Sequence, residues 1–371
     1  MTKFDHIPLI EAIQLKRGYD LPVGDRKLGE IPIIGSSGIT GYHDQAKLTG
    51  PGVAIGRSGA SIGVATFCNS PYWPLNTCLY VTDFKGNDPR WVYYVLDSID
   101  FTGYNSGSAQ PSLNRNYLAA IPFPLTHIDE QKRIAAALGA LDDKIESNSN
   151  QIGIMSLLAE AVGQIESENL PLTELSNMAI LKRKASPISS FSGKSVHHYS
   201  LPAYDNSESP VREMADDIKS NKIVLDGPSI LVSRLNPRTK RTWWVNPSPD
   251  TVSLSSTEFA ILSTSNGTDL TAVWLAVADN EFQERMRASV TGTSGSHQRV
   301  SPTTLMGLKV PDFRHASAES LQVVSTLLDR SDTLKNENQR LAALRDALIP
   351  ELLSGRIRTT EIEDTVEEAI A

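Results

Sequence analysis

Over residues 129–166, Ile134, Leu138, Leu141, Ile145, Asn148, Ile152, Met155, Ala159 and Val162 recur in alternating steps of four and three. That is the a/d period of a coiled coil, not the wider face of a globular helix. Glu130, Lys132, Arg133, Asp142, Asp143, Lys144 and Glu146 lie between the seam positions and are expected to face away from it. One asparagine inside an otherwise apolar seam implies a specified register and partner. The competing reading is an amphipathic core helix. A helix of about 35 residues at ~1.5 Å rise spans roughly 50 Å. That exceeds a compact domain of this size, so the helix is expected to project or connect.

A second seam, over about 316–353, repeats Leu327, Leu334, Leu341 and Leu348 every seven residues, with Ser331, Asn338 and Arg345 between them. The two helices belong to a larger repeat. Ser106-Gly107-Ser108 recurs as Ser294-Gly295-Ser296, 188 residues on, and Asn148, Asn150 and Gln151 recur at the same offset as Asn336, Asn338 and Gln339. Pro122 recurs as Pro311, one residue further on. Heptads alone would explain the helical matches by chance, but not the Ser-Gly-Ser and proline landmarks. The order is domain, helix, domain, helix: 1–126, 127–167, 168–313, 314–355, and an acidic stretch, 356–371, expected to be a disordered tail.

Each globular part is expected to be α+β. In the first, Ile31-Pro32-Ile33-Ile34-Gly35, Val53-Ala54-Ile55-Gly56 and Cys78-Leu79-Tyr80-Val81 are short, β-branched runs bounded by turn residues. Trp91–Leu96, after Asp88-Pro89, has a helix start. Ile121-Pro122-Phe123-Pro124 is expected to end regular pairing. In the second, Ser229–Arg234, Leu270–Asp279 and Val310-Pro311 hold the corresponding places.

The 371 residues suffice for two or three domains. No stretch approaches the ~20 apolar residues of a membrane span, and Met1–Asp5 lacks a signal core, so a cytoplasmic location is the default expectation. Cys68 and Cys78 match no metal or disulfide pattern and are expected to be buried thiols. The net charge of −8 argues only mildly against polyanion binding, because Glu361, Glu363, Asp364, Glu367 and Glu368 crowd into the last stretch.

These segments resemble the specificity (S) subunits of type I restriction–modification systems. The resemblance covers nearly the whole chain. It rests on Asn105-Ser106-Gly107 with Leu113, Leu118-Ala119-Ala120-Ile121-Pro122-Phe123-Pro124, and Asp129-Glu130-Gln131 leading into Ile134, Leu141-Asp142 and Ile145. Leu344-Arg345-Asp346-Ala347-Leu348-Ile349-Pro350-Glu351-Leu352-Leu353-Ser354-Gly355-Arg356-Ile357 adds to it. The lead-in to the second helix, Pro311–Ala316, lacks the Glu-Gln pair. The resemblance implies two target recognition domains separated by two long antiparallel coiled-coil helices, in a pseudo-two-fold internal repeat. It also implies partners: double-stranded DNA, two methyltransferase subunits and translocase–nuclease subunits. Methyl donor and ATP would sit on those partners, leaving no cofactor here.

The residues themselves carry no catalytic constellation. Asn246-Pro247-Ser248-Pro249 lacks the terminal aromatic of an adenine methyltransferase tetrad, and no Gly-x-x-x-x-Gly-Lys loop occurs. His197-His198 are strand neighbours, which point to opposite faces and cannot easily share a metal. DNA-contacting candidates are better represented. Ser36, Ser37, Thr40 and Tyr42 set hydroxyls among glycines, against the alternative of a plain glycine-rich turn. Arg57 and Ser58 end a strand, and Arg234 has the equivalent place, followed by Arg238, Lys240 and Arg241 beside two tryptophans. Lys182 and Arg183 form a smaller patch. The Ser-Gly loops bring Ser106, Gln110, Asn114 and Arg115 in one half, and Ser294, His297, Gln298 and Arg299 in the other. Gln, Asn and Arg can read purine edges bidentately.

The expected function is a non-catalytic reader of a bipartite, asymmetric DNA target, with the helices setting the spacing of its half-sites. Two other readings stay open: the specificity subunit of a type II system with a fused nuclease–methyltransferase partner, and a coiled-coil scaffold with two protein- or glycan-binding domains.

Overall fold

The computed structural model describes residues 4–101, 104, 112–113, 118–119, 121–264, 269–290 and 298–371. The chain divides into two units: Met1–Ile145 with Leu341–Ala371, and Glu146–Arg340. Two long helices, Ile128–Ser167 and Ala318–Leu353, each contribute one part to each unit.

The first unit is built on an antiparallel four-stranded sheet in the order Gln14–Arg17, Cys78–Asp83, Gly52–Gly56, Ala65–Cys68. A three-stranded sheet of Gly38–His43, Ile31–Gly35 and Trp73–Pro74 accompanies it. The helix Pro89–Asp97 starts where the sequence says it should. Asp88 caps it, its carboxylate accepting from the N–H groups of Arg90 and Trp91 at 3.0 and 2.9 Å, and Pro89 fills the first turn. Its Trp91, Val92 and Val95 pack with Val53, Ile55 and Leu79, and the same core takes in Ile134, Leu138 and Leu141 of the first long helix and Leu341, Leu348 and Leu352 of the second. Each such leucine contributes about 1.5–3 kcal/mol through burial.

The second unit repeats this plan. Its four-stranded antiparallel sheet runs Ile180–Lys182, Phe259–Ser263, Ser229–Ser233, Thr242–Val245. The helix Leu270–Ala278, capped by the Asp269 carboxylate on Thr271 N–H at 2.8 Å, packs with Ile230, Val232, Ala260 and Leu262. Here the offset breaks down, because this unit carries a five-stranded sheet in the order Ala185–Ser186, Lys222–Leu225, Ser253–Ser256, Ser195–Tyr199, Val211–Met214. Within the unit the long helices run antiparallel: Glu166 meets Ser317 and Ser320, Met155 meets Ser331, and Asn148 meets Asn338. The seam asparagine therefore has a partner, donating from Nδ2 to Asn338 Oδ1 at 2.9 Å.

Three expectations require correction. Pro122 and Pro124 do not end pairing. Pro122–Leu125 forms a two-stranded antiparallel ladder with Asp5–Pro8, where each strand has an edge that needs no N–H, and Leu172–Glu174 with Lys309–Pro311 does the same in the second unit. Glu130 and Asp142 do not face away. Glu130 is buried beside Arg133, and Asp142 accepts from Tyr94 Oη at 2.5 Å and from Arg345 Nη1 at 2.7 Å. The acidic C-terminus is not a frayed tail. Glu363–Ile370 is a helix whose Val366, with Ile362 before it, is buried in the first unit's core, while its acidic residues sit on the outer side.

Candidate nucleic-acid interface

In the first unit Ser36, Arg57 and Ser58 come together at the end of the strand Gly52–Gly56. The hairpin of Ile31–Gly35 and Gly38–His43 places Ser36 at its tip, where Ser36 Oγ donates to the Thr77 carbonyl at 2.8 Å and lies 3.3 Å from Ser58 Oγ. Gly56 permits this approach: a Cβ there would stand 2.2 Å from the carbonyl oxygens of Ser36 and Ser61. The Arg57 N–H donates to the Thr77 carbonyl at 3.0 Å, and the Arg57 carbonyl accepts from Leu113 N–H at 2.8 Å. Arg57 Nη2 reaches Ser112 Oγ at 3.5 Å. Ser37, Thr40 and Tyr42 are exposed along the same hairpin, although Thr40 Oγ1 bonds the Ile33 carbonyl at 3.2 Å.

The second unit places Arg234 in the same backbone frame. Its N–H donates to the Glu258 carbonyl, and its carbonyl accepts from Val300 N–H, both at 3.0 Å. Arg234 Nη2 donates to the Thr257 carbonyl at 2.6 Å. Burial pulls this guanidinium below the usual arginine range; Glu258 opposes that pull and Arg299 adds to it. Arg299 in turn grips the Glu258 carboxylate through Nε and Nη2 at 3.0 and 2.8 Å. The Gln298 carbonyl accepts from Asn236 N–H at 2.9 Å, where Asn236 takes a left-handed turn at φ 48°.

The basic run after Arg234 is not one patch. Lys240 pairs with Glu160 of the long helix at 2.7 Å, and Arg241 is bound bidentately by Asp205 at 2.6 and 2.9 Å. Lys182 is likewise paired with Asp226, whereas Arg183 and Arg238 are exposed. Ser106, Gln110, Asn114, Arg115, Ser294 and His297 lie outside the described residues.

Other candidates settle into structural roles. His197 and His198 are adjacent on Ser195–Tyr199, and His198 Nδ1 sits 2.6 Å from Glu213 Oε1. Cys68 and Cys78 are buried free thiols, and burial pushes each up to about 12. No helix among the described residues is long and apolar enough to cross a membrane.

Two features went unnoticed in the sequence. Glu258 has no motif around it. The other is a second apolar stripe on the first long helix: Ile154, Leu157, Leu158 and Ile165 are 48–71% exposed. Its residues lie three, four and seven apart on one helix face, but only packing reveals that the first seam is buried and this stripe is exposed.

The family described as type I restriction modification DNA specificity domain matches residues 14–153. The specificity subunit of the type I restriction enzyme EcoprrI from Escherichia coli is 29% identical over 121 residues, 33% of this chain and 29% of that protein. The match thus spans less than a third of the relative's length. The crystal structure of the type I restriction–modification S subunit from M. genitalium superposes with a TM-score of 0.64 at 15% identity, covering 95% of this chain and 96% of that one. The HsdS subunit from Thermoanaerobacter tengcongensis, at 12% identity and similar coverage, reaches a TM-score of only 0.33. Residues 14–153 are thus similar to the type I restriction modification DNA specificity domain, and the chain shares its fold with the S subunit from M. genitalium.

Proposed function

We propose that the chain is the DNA-sequence-specificity subunit of a type I restriction–modification complex, reading a bipartite target with one recognition domain per half-site. The observation that carries this is the repeated frame around Arg57 and Arg234, one copy of which lies inside the segment matched to the specificity-domain family. In each unit a strand-end arginine accepts, on its carbonyl, the N–H of the segment that follows the Ser-Gly loop. A strand-end cation beside hydroxyl- and amide-bearing loops suits a duplex, with phosphate contacts supplying affinity and base-edge contacts supplying sequence. The two frames carry different side chains, so the two half-sites differ. Recognition is this chain's part; methylation of adenine, and ATP-driven cleavage in the full restriction complex, belong to two methyltransferase subunits and the translocase–nuclease subunits it recruits.

The exposed stripe of Ile154, Leu157, Leu158 and Ile165 is the surface we assign to a partner subunit. Unburied apolar area on this scale has no role in an isolated helix, and covering each side chain contributes about 1.5–3 kcal/mol. Sequencing of duplexes methylated by the assembled complex tests the function. Two short, unlike specified blocks separated by a fixed spacer are expected. Methylation without sequence preference, or a single palindromic block, would refute it.

A further inference from the structure

The repeated frame aligns residues that no spacing argument could align. Thr77 and Glu258 each offer a carbonyl to the strand-end arginine's N–H, and each immediately precedes a central strand. Ser112 and Arg299 each form an isolated β-bridge to the residue after that arginine, Ser112 to Ser58 and Arg299 to Leu235. The first unit therefore carries Arg57, Thr77 and Ser112 where the second carries Arg234, Glu258 and Arg299.

The second set is electrostatically unusual. The Glu258 carboxylate binds Arg299 side-on through two hydrogen bonds, and its charge also acts on the Arg234 guanidinium. Stability does not account for it, since Arg299 is 48% exposed and Glu258 30% exposed at the side chain, and such surface pairs contribute little. Phosphate binding does not account for it either. A carboxylate beside the arginine repels phosphate and cancels the charge that would release counterions. A guanine edge is neutral, presents O6 and N7 as acceptors, and demands a guanidinium held in one plane. A bidentate carboxylate supplies that restraint.

We propose that Glu258 is a specificity-determining positioning residue: it orients Arg299 to read a guanine in the half-site of the second unit. In the corresponding places the first unit has Thr77 and Ser112, which cannot form a carboxylate–guanidinium pair. This rests on the DNA-reading function proposed above.

The test is selection from duplexes randomised in both half-sites, using the full chain in its methyltransferase complex. Wild type, Glu258→Gln and Arg299→Lys are compared, together with a salt titration on non-specific DNA. Both variants are expected to lose, by roughly tenfold or more, the preference for guanine at one and the same position of one half-site. The other half-site stays as in wild type, and the salt slope of Glu258→Gln does not fall below that of wild type. Wild-type preference in Glu258→Gln overturns the proposal while leaving the DNA-reading function intact. So does an even loss of preference across both half-sites with a lowered melting temperature, which marks a merely structural role. If wild type itself selects no sequence, the function falls and this inference with it.

Discussion

The backbone N–H of Val300 donates to the carbonyl of Arg234 at 3.0 Å, and in the other unit Leu113 does the same to Arg57 at 2.8 Å. Each bond pins the segment following a Ser-Gly loop to the end of a central strand. It fixes where the arginine side chain starts, whatever the loop's own sequence. A fold that repeats this bond can vary its side chains without moving its frame, and the two halves share an architecture while differing in side chains.

Arg57 should contribute to affinity as a phosphate-range cation. Arg57→Gln is expected to weaken binding to any duplex and to reduce the slope of log K against log salt by about one, whereas Arg234→Gln, whose guanidinium feels the Glu258 charge, should reduce it less. Fluorescence anisotropy over a salt series measures both. Lys240→Gln and Arg241→Gln, whose charges are already met by Glu160 and Asp205, should change the slope much less.

Asn148 is 1% exposed and donates to Asn338 across the helix pair. Asn148→Ala leaves the partner amide without its donor in a half-dry seam and should cost about 1–3 kcal/mol. Replacing both asparagines with leucine should recover that stability and loosen the register, as buried polar pairs specify alignment at the expense of stability. Urea denaturation reads the first effect, and disulfide trapping between engineered seam cysteines reads the second.

Burial pushes the Asp332 carboxyl up to about 6, with Lys335 pulling it down and Asp329 pushing it further up. The folded chain thus holds a proton that the unfolded chain releases near pH 3.9. Between those values the native state binds more protons, so this group's contribution to stability falls as pH rises toward 6 and stays low above it. Asp332→Asn should abolish that slope and raise stability at pH 7 by about 1–3 kcal/mol. Melting temperatures at pH 4.5 and 7 for the two proteins check the sign.

Gly56→Ala forces a methyl group onto two carbonyl oxygens. It should destabilise the first unit by about 1–3 kcal/mol or more and displace the Ser36 tip from Thr77 and Ser58. Hydrogen exchange at residues 31–43 should rise, while exchange in the sheet of Ser229–Ser233 stays unchanged.

Much of this was legible in the amino-acid order. The heptads of Ile134–Val162 and Leu327–Leu348, the capped start at Asp88-Pro89, the duplication and the strand-end arginines follow from local periodicity and turn chemistry, which act over a few residues. What tertiary structure alone decided is where charges end up. Arg234, Arg238, Lys240 and Arg241 are a single basic cluster in sequence, yet Glu160 and Asp205, 80 and 36 residues away, divide it. Glu258 gains its place beside Arg299 from the pairing of Ser229–Ser233 with Phe259–Ser263. The acidic C-terminus is helical because Ile362 and Val366 pack into the core formed by residues between Leu9 and Leu141 and by Leu341–Leu353. Periodicity is a property of neighbours along the chain, whereas the field at a side chain sums over neighbours in space, and only the folded chain brings those together.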